Sequence, residues 1–186
     1  MSPSLYDFAI SDLGERKIPS PLNTAGFVAD NKRLLFDCYL NSYDQNKNRH
    51  GQPLSVELAG PRGKIFFAPA LAKAAVVTCG GLCPGINDVI RSITMELFYR
   101  YGVKNILGIR YGFRGLIPEY GLKPLLLSPE LVKDITSIGG SFLSCSRGHQ
   151  NVDRMIRTLT DYQIDMLFCI GGDGTMRAVE EINAKL

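Results

Sequence analysis

The sequence has no long hydrophobic run, little net charge and no cysteine framework, and each absence removes a class of protein. No stretch approaches the roughly 18 consecutive apolar residues of a membrane span. Lysine and arginine number 21 against 18 acidic residues, a net charge of +3. That is too small a surplus to argue for a nucleic-acid partner. The N-terminus shows no basic segment followed by an apolar block, so no secretory signal is read there. The five cysteines, Cys38, Cys79, Cys83, Cys145 and Cys169, are odd in number and follow neither a zinc nor a disulfide spacing. Cys79 and Cys169 sit in apolar runs, where cysteine acts as a small hydrophobe. These features predict a cytoplasmic chain with reduced thiols and no membrane partner. Of the two histidines, His50 lies in a polar stretch and His149 in a loop, and neither is read as a catalyst.

What is present suits a globular α/β protein. The chain has 186 residues, 45% apolar and 21% charged, enough for one ordinary domain or one domain with an arm. Residues 1–72 carry Pro3, Pro19, Pro21, Pro53, Pro61 and Pro69 and a polar stretch at 41–52. Two short extended pieces are expected there, 55–58 and 64–67, with a turn between them. This part is read as an irregular N-terminal arm. Residues 73–186 are read as the α/β domain.

From Lys73 the pattern turns regular. The run 74–79 (AAVVTC) is short, apolar and valine-rich, as a buried parallel strand should be. A glycine turn follows, then a helical stripe over 84–101 through Ile86, Val89, Ile90, Ile93, Leu97 and Phe98, closed by Gly102. Residues 105–110 form a second strand. Ser128 and Pro129 open a helix expected to run to Ile138, and Asn151 caps another. Residues 165–170 (DMLFCI) form a third strand, followed by a glycine turn and a last helix over 176–185. Alternating strands and helices predict a three-layer, Rossmann-like α/β domain with a mostly parallel sheet. Ligands of such sheets bind at the carboxyl ends of the strands.

The glycine turns lie at those ends. In the first, Gly80 and Gly81 leave room for an anion at the backbone, and the following helix presents free N–H groups. A plain strand-to-helix turn explains the same residues equally well. The second turn, 171–175 (GGDGT), adds Asp173 among three glycines. A carboxylate there repels phosphate unless a cation intervenes, and Mg²⁺ prefers one or two carboxylates, waters and phosphate oxygens. The competing role for Asp173 is helix N-cap. A third element, 144–149 (SCSRGH), places Arg147 before a helix, where it is either a phosphate ligand or a solvated surface charge. Residues 110–115 (RYGFRG) offer Tyr111 or Phe113 to a base, or simply a packing aromatic.

These motifs taken together resemble the phosphofructokinase family: 80–91 (GGLCPGINDVIR), 109–115, 139–147 and 171–175. The GGDGT element is shared with NAD kinases and diacylglycerol kinases, whereas Gly-Gly-x-x-Pro-Gly-x-Asn is not. The arm resembles the extension of the long, plant- and trypanosome-like branch. Leu82 in place of an aspartate agrees with that branch and argues against the effectors of the short bacterial enzymes. The resemblance implies phosphoryl transfer from ATP to fructose 6-phosphate in a homo-oligomeric enzyme, with Mg²⁺ as cofactor. It implies donor contacts at Gly81, Phe113, Arg147, Gly148, Gly172, Asp173, Gly174 and Thr175. In it Arg147 meets the transferring phosphate and Asp173 the metal. Glycine at 174, where pyrophosphate-using relatives carry aspartate, implies ATP as donor; a pyrophosphate-dependent enzyme and a non-catalytic nucleotide-binding fragment are the alternatives. The family's general base belongs to a Thr-Ile-Asp-Asn-Asp motif that these 186 residues do not contain, so the chain is expected to lack turnover by itself.

Overall fold

A computed structural model describes residues 8, 10–39, 47 and 51–186. The chain divides into two compact units, Met1–Phe66 and Phe67–Leu186.

The first unit holds two small antiparallel sheets. Strand β1 (Ile18–Pro19) pairs with β4 (Lys64–Ile65), and β2 (Arg33–Leu35) with β3 (Ser55–Glu57). The two extended pieces expected from the sequence are thus real but do not pair with each other. Arg62 ties this unit together. Its guanidinium donates to the carbonyls of Val28 (3.2 Å) and Leu58 (2.8 Å) and lies 3.3 Å from the Asp30 carboxylate. Five donors in a fixed fork let one arginine serve both carbonyls and carboxylate. Most of the polar stretch at 41–52, His50 included, lies outside the described residues.

The second unit is built on one four-stranded sheet of order β7-β6-β5-β8. Strand β5 (Lys73–Thr78) is central, parallel to β6 (Asn105–Ile109) on one side and to β8 (Met166–Ile170) on the other. Strand β7 (Leu125–Leu126) adds a short antiparallel edge. Alanine and valine fit β5 because both of its faces are covered; residues 74–78 are fully buried. Alternate residues feed two cores. Ala74 and Val76 pack with Ile90, Leu97 and Ile106 on one face, and Ala75 and Val77 with Met155, Leu159 and Ile182 on the other. Helices on both faces make the three layers.

Helix α1 (Ile86–Met95) opens at Gly85, whose left-handed backbone (φ 84°) starts the helix two residues later than the stripe suggests. It continues as a π-helical turn, Glu96–Tyr101, ended by left-handed Gly102. The expected helix to Ile138 is broken. Helix α2 (Pro129–Val132) is four residues long, capped by Ser128, and a 3₁₀ turn, Ile135–Ser137, follows. Helix α3 (Val152–Asp161) is capped by Asn151, whose side chain accepts from Arg154 N at 3.0 Å. Helix α4 (Asp173–Asn183) begins inside the second glycine turn, three residues earlier than the sequence pattern indicates.

Candidate functional site

Three parallel strands end at one level. In register, Val77 faces Ile109 of β6 and Thr78 faces Ile170 of β8, so the chain segments leaving all three emerge together. The helix after β5 packs on one face of the sheet and α4, after β8, on the other. Adjacent strands whose connections depart in opposite directions leave a crevice between them, the usual ligand position in such sheets.

The segments are bonded to one another. Cys79 N donates to Ile170 O at 2.8 Å and Gly80 N to Ser146 O at 3.2 Å; Tyr111 N donates to Leu143 O at 2.9 Å. Gly112 sits so tightly that a Cβ there would lie 2.9 Å from Ser146 Oγ and 3.2 Å from Thr78 O. Glycine is required at that spot for space, and its φ of 60° reinforces the requirement. Below this layer, the Cys79 thiol bonds to the backbone of Phe113 and to the Thr175 side chain; burial pushes it up to about 12. It is therefore a protonated packing group with no nucleophilic role at neutral pH.

Of the residues singled out in the sequence, most meet at this end of the sheet. The Arg147 guanidinium lies 3.6 Å from the point a Gly81 Cβ would occupy. Gly172 is the N-cap of α4, with extended backbone, and its carbonyl accepts from Thr175 N (2.9 Å) and Met176 N (3.1 Å). Asp173 is the first helical residue, so the N-cap role weighed for it falls to Gly172. Neither Asp173 nor Arg147 makes a hydrogen bond or ion pair among the described residues, and both are exposed. Around Gly148, Gly172 and Gly174 an added Cβ would meet only open space. Thr175 points inward: it is buried, and Gly171 must be glycine because a Cβ there would come within 2.1 Å of its hydroxyl.

Phe113, for which the resemblance implies a donor contact, is a buried residue. Its ring is buried in the core with Val77, Ile109 and Leu116, since a phenyl ring loses more by facing water than by packing. The exposed aromatic of that loop is Tyr111, held left-handed at φ 58°. His149 is an exposed loop residue.

Two residues of this site carried no predicted role. Thr78 is fully buried at the end of β5, and its hydroxyl meets Ser141 Oγ (3.0 Å) and Ser144 O (2.9 Å). Asn87, in the first turn of α1, is also buried. Its Nδ2 donates to Ile135 O, Ile138 O and Gly140 O at 3.0–3.1 Å, and its Oδ1 accepts from Phe142 N at 2.8 Å. The available signal was a polar residue on an otherwise apolar strand and on a helix stripe. Beside the first turn, residues 82–88 with Thr136, Ile138, Gly139 and Gly140 line a depression of about 300 Å³; Arg147 and the second glycine turn do not line it.

The arrangement offers exposed glycine backbone, an unpaired guanidinium and an unpaired carboxylate at the N-terminus of an 11-residue helix. Such a set suits a phosphate chain with a bound cation. Among the described residues no three His, Cys, Asp or Glu side chains form a cage. Mg²⁺ needs none, because it keeps its waters and uses one or two carboxylates with phosphate oxygens.

Comparison with known proteins identifies the family. An ATP-dependent 6-phosphofructokinase of Borreliella burgdorferi is 43% identical over 178 residues, covering 92% of this chain and 39% of its own length. One from Amycolatopsis methanolica is 41% identical over 186 residues, 96% of this chain and 40% of its own. The chain thus spans about two fifths of the length of these relatives. The crystal structure of Pichia pastoris phosphofructokinase in the T-state superposes with a TM-score of 0.54 at 25% identity, over 68% of this chain and 13% of that one. The family model described as phosphofructokinase matches residues 73–186, the whole of the sheet with its glycine turns, and the chain belongs to the phosphofructokinase family.

Proposed function

We propose that this chain carries the phosphoryl-donor site of an ATP-dependent 6-phosphofructokinase, which phosphorylates fructose 6-phosphate on its 1-hydroxyl. The observation that supports it most is the meeting of three strand ends with two unpaired charges, Arg147 and Asp173, of opposite sign. On this reading the backbone at Gly81, Gly148, Gly172 and Gly174 approaches the donor phosphates. Arg147 offsets charge on the transferring group, worth most in a water-excluded site. Asp173 holds Mg²⁺, which when bound neutralises the phosphate oxygens and orients them. Thr175 and Phe113 act from beneath, fixing the turn and the loop through Cys79. Catalysis of this kind is positioning and charge neutralisation. The acceptor site and the general base are not assigned to residues 1–186, and the complete enzyme is proposed to be a cytoplasmic homo-oligomer.

ATP is favoured over pyrophosphate by Gly174, which has open space where a side chain would stand. Titration calorimetry with Mg-ATP and with Mg-pyrophosphate tests the proposal on this chain. Mg-ATP is expected to bind and Asp173→Asn to weaken it at least tenfold, the scale of a lost charge-assisted contact. A folded chain that takes up no Mg-ATP overturns the donor-site reading; preference for Mg-pyrophosphate overturns the choice of donor.

A further inference from the structure

We propose that Thr78 and Asn87 are positioning residues that clamp the segment bearing Arg147 onto the end of β5 and the start of α1. The functional part of this inference rests on the donor-site reading above. Residues 138–150 contain no helix or strand, yet they must place a guanidinium within a fraction of an ångström of a phosphate to be useful. Arg147 itself makes no hydrogen bond or ion pair among the described residues and is exposed. Its position over Gly81 is therefore set by its backbone. The segment leading to it is held by two buried side chains from the neighbouring strand-turn-helix, at residues 135–144, and by a backbone bond at Ser146.

The chemistry of the two contacts is complete. The Thr78 hydroxyl has one proton. It donates to Ser144 O at 2.9 Å, so at the 3.0 Å contact the Ser141 hydroxyl donates to Thr78. Ser144 is left-handed, φ 61°, a region L-residues visit sparsely, and Thr78 grips the carbonyl of that very residue. Asn87 shares its two amide protons among three carbonyls, those of Ile135, Ile138 and Gly140, one proton being bifurcated, and accepts from Phe142 N. The amide leaves no polar atom unsatisfied, as a site 4% exposed demands. Further bonds, Tyr111 N to Leu143 O and Gly80 N to Ser146 O, join the segment at neighbouring points, but they are backbone pairs that any sequence supplies. Thr78 and Asn87 are the side chains specific to the task.

The test uses the 186-residue chain and two readouts. Thr78→Val keeps the shape and removes the hydroxyl. We expect amide exchange over residues 141–147 to quicken at least tenfold while α3 keeps its protection. Mg-ATP binding is expected to weaken about tenfold, to recover in Thr78→Ser, and to show no further loss from Thr78→Val in an Arg147→Ala background. Unchanged exchange in folded Thr78→Val overturns the clamp. A loss of affinity that persists at full size without Arg147 overturns its role in positioning that residue. If Thr78→Val does not fold, Ser141→Ala, which removes the donor to Thr78 at the surface side, carries the same exchange comparison. A folded wild-type chain that does not bind Mg-ATP overturns the donor-site reading, and the exchange result then still decides the clamp.

Discussion

Strands β5 and β8 lie side by side, parallel and in register, and each runs into a glycine turn. They are nevertheless packed in opposite ways. Residues 74–78 of β5 are fully buried, whereas every residue of β8 is half-buried. β5 has a neighbour on each edge; β8 has one, and its other edge is open among the described residues. The turns differ in the same sense. The turn after β5 is bonded to the 141–148 segment and its helix anchors that segment through Asn87. The turn after β8 has Thr175 beneath it and open space above it. One strand supplies a rigid floor and the other an accessible rim. The phosphate-donor role proposed above needs both, a fixed place and a way in.

The comparison breaks most sharply under a buried charge. Val76 and Phe168 face each other across the ladder. Val76→Asp places a carboxylate in the centre of the core and is expected to cost about 4 kcal/mol or more, enough to prevent folding. Phe168→Asp leaves the new charge beside the open edge and is expected to cost about half as much. Urea denaturation of both variants measures the difference; equal losses would mean that β8 is as enclosed as β5. The free edge, apolar on both faces, is also where self-association should begin at high concentration.

The next effect in size is set by pH. Burial pushes the thiol of Cys79, just past β5, up to about 12, and that of Cys169, in β8, up to about 11, from 9.0. Above about pH 9 the unfolded chain ionises both thiols while the fold keeps them protonated. Stability is thus full below pH 9 and falls as pH rises towards the folded values, by about 1.4 kcal/mol per pH unit for each thiol. Near pH 10.5 the loss through Cys79 should reach about 2 kcal/mol. Denaturant midpoints at pH 7.5, 9 and 10.5 should fall in that order, and Cys79→Ala should flatten the decline more than Cys169→Ala does. A midpoint independent of pH would show Cys79 to be open to solvent.

How much of this was legible in the sequence follows the same division. β5 reads directly, because burial on both faces leaves an uninterrupted alanine and valine run. The glycine turns read directly as well, since their composition is dictated by local space. β7 does not read at all: two leucines become a strand because they pair with Leu107 and Gly108, a tertiary event. The helix expected to reach Ile138 stops at Val132, and a 3₁₀ turn, Ile135–Ser137, takes over. The carbonyls of Ile135 and Ile138 are then met by Asn87 Nδ2, 48 and 51 residues upstream, a tertiary contact that local sequence does not announce. The last helix begins at Asp173, inside the stretch read as a glycine turn, because extended Gly172 serves as its N-cap. For Phe113 composition left a base and the core equally open, and the structure shows the ring buried in the core.

Within the second turn a smaller contrast remains, between two glycines three residues apart. Gly171→Ala would drive a methyl to within 2.1 Å of the Thr175 hydroxyl and 2.7 Å of its Cβ. Thr175 is buried and bonded to Cys79, so it cannot swing away freely. The cost expected is about 1–2 kcal/mol, as for other overpacked positions. Gly174 is the opposite case. It lies in the first turn of α4 with nothing within 4 Å of an added Cβ. Gly174→Ala should leave stability within about 0.5 kcal/mol or raise it slightly, since alanine loses less entropy on entering a helix. The consequence at 174 should instead be chemical. Gly174→Asp sets a second carboxylate beside Asp173 in the space proposed for the donor phosphates, where it repels them and fills their place. The variant is expected to melt within a few degrees of the wild type while Mg-ATP binding falls at least tenfold. If ATP binding survives in a folded Gly174→Asp protein, residue 174 does not face the donor, and the proposed choice of ATP over pyrophosphate loses its support.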